Sequence, residues 1–287
     1  MAVVGHVKEI WRYPVKSMAG ERRERAEVGE RGIPGDRGWA LRDEAAAEIR
    51  GAKKMPVLMR CRASYEAEPS AAHVPPVTIT LPDETSVRSG DSDVDARLSA
   101  LVGRAVKLCS LRPAEDRDHY RRGQPDDPDF EKELRQIFGR LPDEPLPDFS
   151  VVPPEIFEFT SPLGTYFDLA PLHLMTTASL RALSALAPTA RFERARFRPN
   201  FLVEPTGGTS GFVETAWCGR KVRVGGVTIG VTIPTMRCSM TTRAVDDLPG
   251  DPTVLRAIVR DANQNLGVYA TVEAAGEVAV GDPVELV

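Results

Sequence analysis

Short runs of apolar, aromatic and β-branched residues recur through the first third of the chain, and turn residues separate them. The runs cover residues 3–15, 38–43, 57–65 and 77–82, with turn signals at 33–36, 82–83 and 89–91. Several short strands at this spacing predict a barrel or a curled sheet. An acidic first turn and the helical spacing of Val94, Leu98 and Leu101 predict one helix over 93–101.

Beyond residue 156 the pattern mixes helices with strands. A Thr/Ser-rich start predicts a helix over 176–186. Asp251-Pro252 predicts the start of a second helix, which we expect Gly267 to end. Two β-branched runs, 221–224 and 227–233, flank a Gly-Gly pair and predict a hairpin. Further strands are predicted at 201–204, 267–273 and 277–287.

The segment between these two regions, residues 113–155, is rich in proline and acidic residues. It contains one short predicted helix, 130–138. Such a composition is typical of a linker or a surface insertion. The alternative is a long ordered loop that covers a site, because loops of this kind are often functional.

These patterns together predict an α+β, β-rich fold in three parts. Residues 1–112 form an N-terminal β-barrel-like domain, residues 113–155 an insertion or linker, and residues 156–287 a second domain. The chain of 287 residues is 42% hydrophobic and 27% charged, which is enough to bury a sizeable core.

Charge and hydropathy narrow the range of partners. The chain carries 37 basic and 41 acidic residues, for a formal charge of -4, so it has no general attraction to nucleic acid or to an anionic membrane. The N-terminus lacks the apolar core of a signal peptide, and no stretch is apolar enough for a transmembrane helix. We therefore expect a soluble, cytoplasmic protein.

The cysteines and histidines are scattered rather than grouped. There is no CxxC pair and no CxxC…HxxxH pattern, which argues against a zinc site of the usual spacing. In a reducing compartment we expect free thiols. The cysteines stand at positions Cys61, Cys109, Cys218 and Cys238, and the histidines at His6, His73, His119 and His173.

Cys238 differs from the others because its neighbours are polar. It lies in PTMRCSMTTR, residues 234–243, at the end of the predicted hairpin and beside Arg237, a cation that can lower the pKa of a thiol. It could be a half-buried structural cysteine or a nucleophile. It could also be the single protein ligand of a metal whose other ligands come from an organic cofactor.

Three further motifs carry cations in turns. Lys16 and Ser17 follow a proline in YPVKS, Arg37 follows a turn in GDR, and Arg198 precedes a proline in RPN. A lysine and a hydroxyl in a turn, and a guanidinium held extended before a proline, suit phosphate binding. Each motif alone is equally compatible with an exposed turn.

In series, YPVKS, GDR, RPN and RCSMTT resemble the MOSC family. The resemblance covers nearly the whole chain except the proline-rich segment. It implies an N-terminal MOSC β-barrel domain followed by a MOSC domain with a barrel core and peripheral helices. The family includes mitochondrial amidoxime-reducing components and bacterial reductases of N-hydroxylated bases. Its members bind molybdenum cofactor, with a cysteine thiolate on the metal.

The resemblance also implies roles for individual residues. Cys238 matches the molybdenum ligand and the catalytic cysteine. An acidic residue often stands in the family where Thr177 stands here, and Asp246 or Asp247 comes later than the usual acidic residue after the threonines. Asp246 could relay protons or belong to an exposed loop. The positions that match contacts to the pterin and its phosphate are Lys16, Ser17, Arg37, Thr176, Thr177, Ser179, Arg198 and Asn200.

The function implied by the resemblance is reduction of small N-hydroxylated compounds at a molybdenum–molybdopterin cofactor, with electrons from a separate flavin or iron–sulfur protein. One alternative is sulfur transfer through a persulfide on Cys238. Another is a cofactor carrier without catalysis. Trp217, Cys218 and His173 are interpreted as structural residues.

Overall fold

The computed structural model describes residues 2–287. The strands of this part of the chain are β1 Ala2–Arg12, β2 Glu21–Arg23, β3 Arg25–Val28, β4 Trp39–Asp43, β5 Glu48–Arg50, β6 Arg62–Tyr65, β7 Val77–Thr80, β8 Ser86–Arg88, β9 Val106–Ser110, β10 Leu172–Thr176, β11 Phe201–Pro205, β12 Lys221–Val224, β13 Val227–Met236, β14 Asn265–Ala274, β15 Gly276–Ala279 and β16 Pro283–Leu286. The helices are α1 Val94–Val102, α2 Arg117–Tyr120, α3 Phe130–Phe138, α4 Thr177–Leu186, α5 Arg194–Phe197 and α6 Pro252–Asp261.

Seven strands close into a barrel in the order β11-β10-β14-β13-β12-β16-β1, and β1 pairs back onto β11. Along β1, Val7 and Ile10 point inward and are almost fully buried, while Lys8 between them is exposed. Six of the seven strands come from the last 116 residues of the chain, 172–287, and β1 supplies the seventh. The first strand therefore completes the barrel of the C-terminal half.

Six of the remaining N-terminal strands form two small antiparallel sheets, β5-β4-β9 and β6-β7-β8, while β2 pairs with β1 and β3 with β15. Their apolar faces and α1 enclose a second core, which includes Leu41, Leu58, Ile79 and Leu98. The predicted β-rich α+β fold is confirmed. The boundaries at 112 and 155 stay predictions.

Most predicted elements appear within two or three residues of their expected limits. α3 spans the predicted range, and α4 begins one residue late because Thr176 is its N-cap, with a side chain that accepts a hydrogen bond from Ser179 N. The expected end of α6 at Gly267 is wrong, since the helix ends at Asp261 and Gly267 lies in β14. A Cβ at residue 267 would stand 2.6 Å from Leu174 O, so this glycine serves strand packing.

The segment 113–155 is docked onto both halves of the molecule. Gly123 N donates to Glu48 Oε2 at 2.7 Å, and Lys54 Nζ donates to Glu133 Oε1 at 2.7 Å. At its far end, Arg140 Nη2 donates to Arg237 O at 3.1 Å, next to Cys238. Within residues 2–287, no helix is long and apolar enough to cross a membrane.

Candidate functional site

A cleft at one rim of the barrel brings together cationic and thiol-bearing residues from three parts of the chain. It encloses about 80 Å³ and opens to solvent. Asp168, His173, Phe197, Arg237 and Tyr269 contribute to its walls. The predicted site residues that line it are Lys16, Ser17, Arg37, Arg198, Asn200 and Cys238.

The backbone of this cleft is strained at the residues that line it. Ser17, Arg37 and Arg198 have φ values of 70°, 51° and 57°, and they account for three of the eight non-glycine residues with positive φ in the described chain. An L-residue in this region costs about 1–2 kcal/mol. Such strain persists where surrounding contacts impose it, and it concentrates at functional sites.

Asp36 and Asn200 supply contacts that impose this geometry. The Asp36 carboxylate accepts from Tyr13 N at 2.8 Å and from Asn200 Nδ2 at 2.9 Å. Asn200 Oδ1 accepts from His173 N at 3.1 Å, and its Nδ2 also donates to Trp11 O at 3.2 Å. The amide of Asn200 is thus used within the protein, so Asn200 positions the segment that carries Arg198.

Two arginines are held on the ring of Tyr13. The guanidinium carbons of Arg37 and Arg198 lie 4.8 and 4.2 Å from the ring centroid. Arg37 is ion-paired with Asp36, and Arg198 Nη1 donates to Met18 O. Arg198 Nη2 is buried without a hydrogen-bond partner in the protein. Burial lowers the pKa of Arg198 to about 10, so it remains a cation at neutral pH.

The opposite wall carries Lys16 and Asp168. Lys16 Nζ donates to Tyr166 O at 2.7 Å and to Asp168 Oδ1 at 2.9 Å. Burial lowers the pKa of Lys16, and the Asp168 carboxylate opposes that effect. Burial also acts to raise the pKa of Asp168, but Lys16 and Lys53 outweigh it and hold that pKa well below its usual range. Asp168 is therefore ionised at neutral pH.

Cys238 lies between β13 and the 3-10 turn Ser239–Thr242. Its thiol is free and half-buried, and its carbonyl accepts from Thr241 N at 3.2 Å and Thr241 Oγ1 at 3.0 Å. The preceding Arg237 side chain donates to Leu266 O at 2.9 Å and meets His173 Nε2 at 2.6 Å. Cys238 faces the cleft while the Arg237 guanidinium is held among backbone and ring acceptors.

His173 is a buried residue of the cleft wall. Burial, followed by the charge of Arg237, holds its pKa well below the ordinary value. A neutral ring can accept the hydrogen bond from Arg237. Trp217 is 4% exposed and packs in the barrel core.

The structure does not bring every predicted site residue to the cleft. Thr176 Oγ1 and Ser179 Oγ donate to Glu214 Oε2 at 2.7 and 2.5 Å, and Thr177 Oγ1 accepts from Arg181. These side chains cap and brace the start of α4 instead of lining the cleft. Their assignment to the cofactor stays a prediction.

Asp246 also lies outside the cleft. It is exposed, with a φ of 46°, in the tight turn between Val245 and Leu248. The carboxylate that the cleft does contain is Asp168, and no sequence motif marked it. Asp36 stands in the GDR motif only as the neighbour of Arg37, and Lys53 is one of two adjacent lysines, so neither has a sequence signal of its own.

Cationic groups outnumber carboxylates at this cleft. Asp36 pairs with Arg37 and Asp168 with Lys16, while Arg198 has an unpartnered nitrogen. A buried donor without a partner is costly unless a ligand accepts from it. The surplus charge and the nearby thiol of Cys238 fit a ligand that combines an anionic group with an atom that binds thiolate, as molybdenum cofactor does.

Comparison with known families agrees with this arrangement. The family model of the MOSC N-terminal β-barrel domain matches residues 4–105, and that of the MOSC domain matches residues 165–285. The chain belongs to the MOSC family. The stretch between the two matches, 106–164, includes the docked segment, which donates a hydrogen bond to Arg237 O beside Cys238.

Among curated proteins, the chain is similar to mitochondrial amidoxime reducing component 2 of Bos taurus. The two are 26% identical over 309 residues, covering 98% of this chain and 83% of the bovine protein. Among solved structures, the YUAD protein of Bacillus subtilis aligns at TM-score 0.44 and 11% identity over 99% of this chain and 95% of its own. YiiM of Geobacillus stearothermophilus aligns at TM-score 0.33 and 19% identity over 41% and 54%. Neither structural likeness carries an argument about function.

Proposed function

We propose that this MOSC protein is a molybdenum-cofactor-dependent reductase of N-oxygenated compounds. The observation that carries the proposal is the single cleft shared by the Cys238 thiol and the cations Lys16, Arg37 and Arg198. The likeness to a bovine protein named as an amidoxime reducing component supports the substrate class.

Residues of two kinds would hold the cofactor. Arg198, whose Nη2 lacks a partner, together with Arg37 and Lys16 would bind the terminal phosphate. Cys238 would bind molybdenum through its sulfur. When bound, the cofactor supplies two-electron chemistry at the metal, which can remove oxygen from an N–O bond.

The other residues of the cleft orient the cationic side chains and form the walls. Asp36 and Asn200 fix the two arginine-bearing turns through buried hydrogen bonds. Asp168 stays ionised beside Lys16, so it holds the ammonium in place and does not carry a proton at neutral pH. Phe197 and Tyr269 contribute aromatic rings to the walls of the cleft.

The proposal requires a small N-oxygenated substrate and a source of electrons. We propose a separate flavin or iron–sulfur protein as the electron donor. A persulfide on Cys238, detected by mass spectrometry, would instead favour sulfur transfer as the function of the same thiol.

The test is metal and pterin analysis of protein purified from a host that makes the cofactor. We expect stoichiometric molybdenum in the wild type and its loss in Cys238→Ala. Cys218→Ala is the matched control, because Cys218 is also a half-buried free thiol but packs against the barrel core. Molybdenum and turnover retained in Cys238→Ala would rule the proposal out.

A further inference from the structure

The loop that follows β5 lies directly against the cationic side of the cleft. Ala52 N donates to Ser17 Oγ at 2.9 Å, which ties the loop to the YPVKS turn. A Cβ at Gly51 would stand 2.4 Å from Ser17 Oγ and 3.7 Å from Lys16 Cε. The absence of a side chain at residue 51 is therefore what lets the loop approach Lys16 so closely.

Two adjacent lysines on this loop have different environments. Lys54 Nζ is committed to Glu133 Oε1 at 2.7 Å and Asp126 Oδ2 at 2.9 Å, both in the docked segment. Lys53 is half-buried and makes no side-chain hydrogen bond or ion pair within the described residues 2–287. Lys53 is thus a cation beside the cleft that the protein does not pair.

The pKa of Lys53 is affected by a charged residue of the cleft. The Asp168 carboxylate raises the pKa of Lys53, and burial opposes this effect. Lys53 in turn acts to lower the pKa of Lys16. Residue 53 directly follows Ala52, whose backbone amide is bonded to Ser17, so the Lys53 side chain begins beside the wall that Lys16 and Ser17 form.

We propose that Lys53 binds the anionic group of the ligand held in this cleft, together with Lys16 and Arg198. The proposal rests on the function proposed above and adds a residue to its binding site. The oxygen atoms of a phosphate or a carboxylate would neutralise the surplus of cations and accept a hydrogen bond from the unpartnered Arg198 Nη2. That group belongs either to the cofactor or to an anionic substrate.

Inorganic phosphate is the probe for the cofactor-free protein. Isothermal titration at low salt compares the wild type with Lys53→Gln and with the matched control Lys54→Gln. Loss of one charge-assisted contact predicts binding about tenfold weaker in Lys53→Gln. Lys54→Gln is expected to bind as the wild type does, since Lys54 is already neutralised by Asp126 and Glu133.

Equal affinities for the wild type and Lys53→Gln would overturn the proposal, as would weakening in Lys54→Gln alone. A wild type that binds no phosphate would overturn it too, because the surplus cations would then lack affinity for the group they are proposed to hold. None of these outcomes depends on molybdenum, so a failure here is distinct from a failure of the proposed function.

Two measurements on the loaded protein identify the source of the anion. A lower pterin content in Lys53→Gln assigns the group to the cofactor. Unchanged content with a higher KM for a carboxylate-bearing N-hydroxylated substrate, and an unchanged KM for a neutral one, assigns it to the substrate. Neither effect would overturn the proposal, because Lys53 would then contact neither the anionic group of the cofactor nor that of the substrate.

Discussion

At the scale of single residues, the site depends on side chains whose polar atoms are bonded within the protein. Asn200 is 1% exposed and links Asp36, Trp11 and the backbone of His173. These bonds hold Arg198 in a left-handed conformation that it would not adopt alone. Positioning of this kind is as necessary as the cations themselves, because a misplaced guanidinium loses its bidentate geometry.

Asn200→Asp tests these hydrogen bonds with a side chain of almost the same shape. The new carboxylate would face the buried Asp36 carboxylate and would lose the donor to Trp11 O, so we expect a loss of about 3 kcal/mol in the free energy of unfolding. Asn263→Asp is the control, since Asn263 is exposed. Urea unfolding measures both. Equal stability of the two variants would contradict the role given to Asn200.

The sequence predicted the site residues only where a motif carried them. YPVKS, GDR, RPN and Cys238 were all assigned, and the structure brings their cations and thiol into one cleft. No sequence motif contains Lys53 or Asp168, because what distinguishes them is the set of residues that surrounds them in the folded protein. Thr176 and Ser179 were expected at the cofactor, but local bonds to a buried carboxylate, Glu214, engage their hydroxyls.

At the scale of elements, the docked segment 113–155 is the feature that sequence composition described least well. Its prolines and acidic residues are typical of a linker, yet it contains α3 and makes buried contacts with the strand that leads to Cys238. Arg140 makes these contacts. It is 6% exposed and donates to Arg237 O at 3.1 Å and to Gln264 Oε1 at 2.9 Å.

Arg140→Ala is expected to loosen the backbone around Cys238. Without the guanidinium, Arg237 O and Gln264 lose a buried donor, so local opening there becomes easier by roughly 1–3 kcal/mol. Hydrogen exchange should speed up in peptides covering 237–243 and 263–266. Arg135→Ala is the control, because Arg135 bonds to Leu141 O and Glu144 O inside the segment itself.

The two variants should differ in where exchange accelerates. Arg135→Ala should affect residues 130–146 and leave 237–243 protected. If both variants gave the same exchange pattern, the docked segment would not act on the Cys238 turn through Arg140.

At the scale of the whole molecule, closure of the barrel assembles the site. The YPVKS turn follows β1, RPN precedes β11, and Cys238 follows β13. β1 and β11 are antiparallel, with Ile10 opposite Phe201, so the end of one meets the start of the other. The sequence indicated the strands, but the pairing of the first strand with the last third of the chain could not be inferred from local pattern.

Closure of the barrel also buries His173, and the free energy of unfolding of the protein therefore depends on pH. The pKa of His173 in the folded state lies well below its ordinary value of about 6.5, so the unfolded chain binds more protons below that pH. Its contribution to stability is present above pH 6.5 and is lost as the pH falls towards the folded pKa. The slope is at most about 1.4 kcal/mol per pH unit.

Urea unfolding between pH 5 and 8 measures this slope. His119 is also buried, with a pKa lowered by burial, so the wild type should lose stability through both histidines below about pH 6.5. His173→Gln should reduce the slope between pH 5 and 6.5 whatever its effect on absolute stability. His73→Gln is the matched control, since His73 is exposed. If His173→Gln kept the full wild-type slope, His173 would bind its proton as readily in the folded protein as in the unfolded chain, and its burial would not oppose protonation.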